Sequence, residues 1–453
     1  MKTMKKSKQY VDRIIEQGRD YAVRKLKDIR AGQNRGLEEL SRDASALLTA
    51  KGQASGVKVA SDIIKAYGEC TEPEKKEFFQ FLLSEFGRDK DKLVQACLDY
   101  GQQPDHANLK TLTRVMDPKR QELIKRINMA PGGTGALVQM RKDLLKFLKA
   151  DPALKPVDID FLELFKSWFN RGFLTMQHIS WSSPALILER LIAYEAVHEI
   201  TSWEDLKSRL DPSDRRCYGF FHPNLTNEPL IFVEVALCKE IPVSIQDILS
   251  PHRDVVKRGQ EKVAAFYSIN NCLVGLRGIS FGNFLIKQVV ENLRSEHPKL
   301  NKFVTLSPIP GFADWLKADN RAVRFNLDKP DMDRLETPDW INNQDFADRM
   351  KLSLRPAALA YLLDRLPNSH RLHNNVARFH LGNGARIEGI QWLADTSKRG
   401  LEASFGMMVN YLYKLDQIEN NHEAFAVRHE VVISKEMKTL NKKSPKLVVV
   451  DGI

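Results

Sequence analysis

The stretch Phe266–Phe312 limits the possible folds of this chain more than any other segment. It reads as a short strand, a glycine-punctuated loop, an amphipathic helix over Phe284–Ser295, and a second strand ending in a Ser-Pro turn. The loop, Gly275-Leu276-Arg277-Gly278-Ile279-Ser280-Phe281-Gly282-Asn283, opens directly into the helix. A helix N-terminus carries free N–H donors and partial positive charge, so a loop of this kind can hold a pyrophosphate. An anion cradle at the helix start and a hydroxyl at the end of the next strand therefore become neighbouring candidate sites.

Composition narrows what such sites can serve. With 453 residues the chain can build two or three domains with substantial cores. Its formal net charge of +11 favours polyanionic partners, among them nucleic acid, anionic membrane and phosphorylated small molecules. Aromatic residues are few and basic residues are dispersed, without alternation along any one segment, which argues against nucleic acid. No run approaches the ~20 apolar residues of a membrane span, and the start lacks the apolar core of a secretory signal. The five cysteines (Cys70, Cys97, Cys217, Cys238, Cys272) are odd in number and lack paired spacing. Neither a structural zinc site nor a disulfide framework follows, and a reducing cytoplasm is the expected compartment.

The first 150 or so residues read as helix after helix. Thr71-Glu72-Pro73-Glu74 is a capping box ahead of Phe78, Phe79, Leu82, Leu83 and Phe86 at helical spacing. Pro131-Gly132-Gly133-Thr134-Gly135 lacks the Gly-Lys-Ser/Thr ending of a nucleotide loop and is expected to be a helix-start turn. Asp151–Pro156, with two prolines, is the expected linker. The expected organisation is α+β: an all-helical N-terminal domain over 1–155, suited to oligomerisation, and a mixed α/β domain over 156–453. In the second, strands are expected at Cys217–Phe221, Pro229–Leu237, Ala264–Ser268, Lys302–Leu306, Ala377–Leu381 and Arg386–Leu393, with a last helix around Leu401–Lys414. That pattern describes an antiparallel meander interrupted by one helix crossover.

Three stretches can carry chemistry. Arg277-Gly278-Ile279-Ser280-Phe281-Gly282 is similar to the loop with which GNAT-type acyltransferases hold the CoA pyrophosphate, although a plain β–α turn reads equally well. Leu306-Ser307-Pro308-Ile309-Pro310-Gly311-Phe312 places the Ser307 hydroxyl at a strand end, its backbone held extended by the two prolines that follow. Phe379-His380-Leu381-Gly382-Asn383-Gly384-Ala385 places His380 before a glycine-rich turn. Together with Asp214–Cys217, Trp392–Asp395 and Asn410–Tyr413, these stretches resemble the malonyl-CoA decarboxylase family over most of the second domain, and less specifically over the helical part.

The resemblance implies a GNAT-like catalytic domain and conversion of malonyl-CoA to acetyl-CoA without an added cofactor or metal. It also implies a homo-oligomer, dimer or tetramer. Ser307 and His380 match the family's active-site serine and histidine, and Tyr413 a tyrosine near the site. Arg277, Gly278, Ile279, Ser280, Phe281, Gly282 and Asn283 match the substrate-binding loop, and Asn410 is a further substrate-binding candidate. Where some relatives carry Glu, this chain has Ser280. An imidazole titrating near neutrality makes His380 the expected proton donor. The rival readings are a CoA-dependent N-acyltransferase, which needs an amine acceptor, and a non-catalytic oligomeric scaffold.

Overall fold

A computed structural model describes residues 35–49, 53–279 and 284–443, which fall into two compact units. The first contains the chain up to Phe173 together with Leu273–Ser280; the second contains Leu174–Cys272 and the chain from Phe281 onward.

The first unit is helical. The Glu74 carboxylate accepts from both the backbone N–H and the hydroxyl of Thr71 at 2.7 Å, so the capping box forms as its residues require. The helix it starts, Glu72–Glu85, buries Phe78, Phe79 and Leu82, and both phenylalanines meet Tyr67 edge-on. Gly132, at φ 73°, precedes the helix Gly133–Phe147, the turn expected of Pro131–Gly135. Asp151–Pro156 is not a linker. Pro152 opens a single 3-10 turn, and Pro156 sits in the first turn of Lys155–Trp168, where a missing N–H costs nothing. Val157, Phe161 and Phe165 of that helix are buried, which carries the helical unit past residue 155 to Phe173.

The second unit is built on one eight-stranded sheet. Its strands are β1 (Thr175–Ile179), β2 (Arg215–Phe221), β3 (Ile231–Cys238), β4 (Val263–Asn271), β5 (Lys302–Thr305), β6 (Ser307–Pro308), β7 (Arg386–Gln391) and β8 (Met408–Tyr413). The order is β1-β2-β3-β4-β5-β8-β6, with β7 also paired to β8. Among these eight strands only β4 and β5 pair in parallel, and the crossover between them includes the helix Phe284–Glu296. All-helical followed by mixed sheet is the α+β class expected.

Two expected elements are wrong. Ala377–Leu381 is not a strand but part of the helix Asn375–Gly382, capped by the Asn374 side chain, which accepts from Ala377 N–H at 2.8 Å. The helix expected to be the last, around Leu401–Lys414, ends at Ser404; Phe405 and Gly406 take left-handed conformations, the chain becomes β8, and the helices Ile418–Ala426 and Lys435–Lys443 follow. Every residue of β8 is buried, so no polar–apolar alternation marked it as a strand. Strand β1 also escaped the sequence reading.

Candidate active site

The parallel pairing of β4 with β5 ends at Phe266–Thr305. One further bond, Leu306 N–H to Phe266 C=O at 3.0 Å, closes the junction. Beyond it β4 continues to Asn271, whereas the other strand turns away as Ser307–Pro308 to pair with β8. The two strands part, and a cavity of about 240 Å³ opens in the gap. Tyr267, Ile269 and Asn271 of β4, Ser307 and Pro308, and Phe379 and His380 of the short helix are among the residues lining it. Asp, Glu, Lys and Arg are all missing from the lining among the described residues.

The proline-rich turn is fixed from behind. Pro310 C=O accepts from Tyr361 Oη at 2.8 Å and from Asn374 Nδ2 at 3.1 Å. Gly311 takes φ 79°, and a Cβ there would lie 2.9 Å from the Tyr361 hydroxyl. Asn374 therefore has two tasks. It caps the helix that carries His380 and ties that helix to the turn that carries Ser307.

These supports bring together two residues far apart in sequence. Ser307 Oγ lies 3.2 Å from His380 Nε2, and His380 Nδ1 lies 2.8 Å from Tyr413 Oη. Ser307 Oγ also donates to Thr305 Oγ1 at 2.9 Å, which accepts from Tyr411 N–H at 3.2 Å. The Tyr411 ring stacks on the imidazole with centroids 4.6 Å apart. Ser307, His380 and Tyr413 are 6%, 3% and 2% exposed, so the chain of hydrogen bonds is dry. Burial lowers the His380 pKa to about 3, so the imidazole is neutral at pH 7. The expectation that it titrates near neutrality fails for that reason. Burial first, and Tyr411 second, hold the Tyr413 phenol well above its ordinary range, so it keeps its proton.

Asn410 behaves differently from its neighbours. Its Nδ2 donates to Thr305 C=O at 2.8 Å, and its Oδ1 accepts from Gln391 Nε2 at 2.7 Å. The amide is occupied inside the sheet and does not line the cavity. Thr305 and Tyr411 were missed by sequence reasoning. Their signal was position: Thr305 lies two residues before Ser307, and Tyr411 two before Tyr413.

Of the glycine loop, Arg277 and Gly278 are exposed and Ile279 is buried, all in the helical unit. Ser280, Phe281, Gly282 and Asn283 lie outside the described residues. A more open cavity, about 480 Å³, sits near β1 among His178, Arg216 and Glu296. Within it Arg216 Nε donates to Glu296 Oε2 at 3.1 Å. Among the described residues no three His, Cys, Asp or Glu side chains are grouped to hold a metal ion. No helix among them is long and apolar enough to cross a membrane.

Comparison with known proteins follows the same lines. Residues 172–449 match the model of the malonyl-CoA decarboxylase C-terminal domain, and residues 86–169 that of the N-terminal domain. The mitochondrial malonyl-CoA decarboxylase of Mus musculus is 31% identical over 417 residues, covering 84% of either chain. That of Anser anser anser is 33% identical over 350 residues, covering 71% of this chain and 69% of its own. The crystal structure of malonyl-CoA decarboxylase from Rhodopseudomonas palustris has a TM-score of 0.85 at 46% identity, covering 90% of this chain and all of that one. The corresponding structure from Agrobacterium vitis gives 0.84 at 46%, covering 89% and 99%. A buried serine–histidine pair in a cavity between parting strands is thus carried by a chain that belongs to the malonyl-CoA decarboxylase family.

Proposed function

We propose that the protein converts malonyl-CoA to acetyl-CoA and carbon dioxide in the cavity between β4 and β6, with Ser307, His380 and Tyr413 handling the charge and the proton. The observation that carries this reading is the dry, uncharged chain Thr305–Ser307–His380–Tyr413 facing a cavity whose lining, among the described residues, holds no charged side chain.

The chemistry asks little of a cofactor. Heterolysis of the bond between the malonyl α-carbon and its carboxyl carbon sends the electron pair into the thioester, giving an enolate and releasing carbon dioxide. The thioester is its own electron sink, so pyridoxal, thiamine, biotin and metal are unnecessary. What the protein supplies is geometry and environment. The carboxylate must leave perpendicular to the thioester plane, and the enolate oxygen must meet a donor. A water-poor cavity favours the process because the localised charge of the carboxylate becomes the spread charge of the enolate.

Proton delivery follows from the neutral imidazole. With Ser307 donating to Thr305, Nε2–H donates to Ser307 and Nδ1 accepts the Tyr413 proton. The α-carbon then takes the Nε2 proton while Tyr413 passes its own to Nδ1; a solvent proton taken up at Nε2 lets Nδ1 return its proton to Tyr413, so the phenol and the starting tautomer are both restored. One negative charge enters as carboxylate and is neutralised only at the end. The loop from Arg277 to Asn283, in a chain of net charge +11, would take the phosphates of CoA. A cytoplasmic location and a homo-oligomeric assembly belong to the same proposal. All five cysteines are free, which suits a reducing compartment.

The test is turnover of malonyl-CoA by the purified protein in deuterated water with no amine acceptor. Acetyl-CoA carrying deuterium on its methyl group is expected by mass analysis. Absence of acetyl-CoA formation overturns the proposal, and product formed only when an amine is supplied favours an acyltransferase.

A further inference from the structure

The loop is held by the helical unit in a way that gives it a direction. Leu276-Arg277-Gly278-Ile279 form a type II turn. Arg277 has φ −55° and ψ 131°, Gly278 has φ 87°, and Ile279 N–H donates to Leu276 C=O at 3.0 Å. Gly278 occupies the position of that turn that requires positive φ. The peptide between Arg277 and Gly278 is planar and trans, so the Arg277 C=O and the Gly278 N–H point to opposite sides.

The carbonyl side is occupied. Arg141, on the helix Gly133–Phe147 and only 2% exposed, donates from Nη1 to Arg277 C=O at 2.9 Å and to Gly275 C=O at 2.7 Å. Its Nε donates to Asp158 Oδ1 at 2.9 Å, and Lys155 Nζ reaches Asp158 Oδ2 at 2.8 Å. The helix also presses on the loop backbone directly, since a Cβ on Gly275 would lie 2.0 Å from Val138 O. A buried guanidinium is tolerated only when its donors are met, and here a carboxylate and two loop carbonyls meet them. With its carbonyl pinned, the central peptide must turn its N–H away from Arg141. Among the described residues the Gly278 N–H has no acceptor, and both Gly278 and Arg277 are exposed.

We propose that Arg141, braced by Asp158, is a positioning residue for acyl-CoA recognition: it locks the turn so that the Gly278 N–H and the Arg277 guanidinium are presented to a phosphate of the substrate. This deepens the reading of the loop given above and rests on it. The helical unit then contributes to substrate affinity through a residue that never touches the substrate.

The experiment compares malonyl-CoA with malonyl-pantetheine, which has the same reacting end and no phosphate, using the full chain. Arg141→Lys keeps the charge opposite Asp158 but lacks the planar guanidinium that spans from Asp158 to the two loop carbonyls. It is expected to raise KM for malonyl-CoA about tenfold with kcat within about twofold, and to leave malonyl-pantetheine kinetics at the wild-type level. Equal losses on both substrates would mean a merely structural role and overturn the proposal, as would no change on either. If Arg141→Lys does not fold, the double variant Arg141→Met with Asp158→Leu removes both charges together, and the same selective rise in KM is expected. Arg277→Ala separates the two levels. Unchanged KM for malonyl-CoA in that variant removes the phosphate loop itself, whereas a raised KM there with none in the Arg141 variants removes only the positioning role.

Discussion

Two buried polar assemblies in this chain are equally dry and electrostatically opposite. Arg141 and Asp158, beneath the glycine turn, are each 2% exposed and form an ion pair whose spare donors hold backbone carbonyls. Ser307, His380 and Tyr413, in the sheet unit, are almost as buried and carry no charge at pH 7. The contrast follows the chemistry proposed for each. A loop that meets a polyanion gains from fixed donors and cations, which bind ground and transition states alike. A cavity in which carboxylate becomes enolate gains from withholding a cation that would hold the carboxylate in place. Charge belongs to the first task and its absence to the second.

The largest effects should come from breaking the uncharged chain. Ser307→Ala and His380→Asn are each expected to lower kcat by about two orders of magnitude or more, read as the rate of carbon dioxide release. Near-wild-type turnover in both variants would leave the two assemblies without a functional difference. A smaller effect of another kind is expected from the loop. Arg277→Ala should raise KM for malonyl-CoA more than it lowers kcat, because phosphate contacts are uniform binding. A fall in kcat at constant KM would place Arg277 in the chemistry and erase the contrast.

How much of this was readable beforehand also differs between the regions. The crossover strand, helix and strand were legible because their residue patterns are local: Ala264–Ser268 is a short, wholly buried run in the middle of the sheet, and Phe284–Ser295 keeps helical spacing. Ser307 was legible from the two prolines that follow it, and the link from Ser307 to His380 came from family resemblance alone. The helix carrying His380 was misread as a strand although Asn374 before it and Gly382-Asn383-Gly384 after it are ordinary cap signals. Strand β8 was unreadable by alternation because both its faces are covered. The neutrality of His380 was beyond any sequence argument, since it comes from burial by β8 and the helix together. The bracing of the loop by Arg141 was equally hidden, because the partners are more than a hundred residues apart and neither is unusual in its own segment.

The least dramatic outcome concerns acid stability, and it tests the neutral chain without using turnover. An unfolded chain protonates this histidine near its ordinary value of about 6.5, whereas the folded protein resists protonation down to about 3. Between those values the unfolded state binds more protons, so stability rises with pH across the window and the full contribution is present above about 6.5. Removing the titrating group should flatten that slope. His380→Asn is therefore expected to show a melting temperature that falls less steeply than wild type between pH 6.5 and 4, whatever the offset between the two proteins at neutral pH. His198, lowered to about 4, His178, also lowered by burial, and Glu234, raised by burial to about 8 with the opposite sign, remain in both proteins and set the residual slope. Parallel acid limbs for the two proteins would mean that His380 is solvated and titrates normally when folded. The sheet cavity would then no longer contrast with the charged turn.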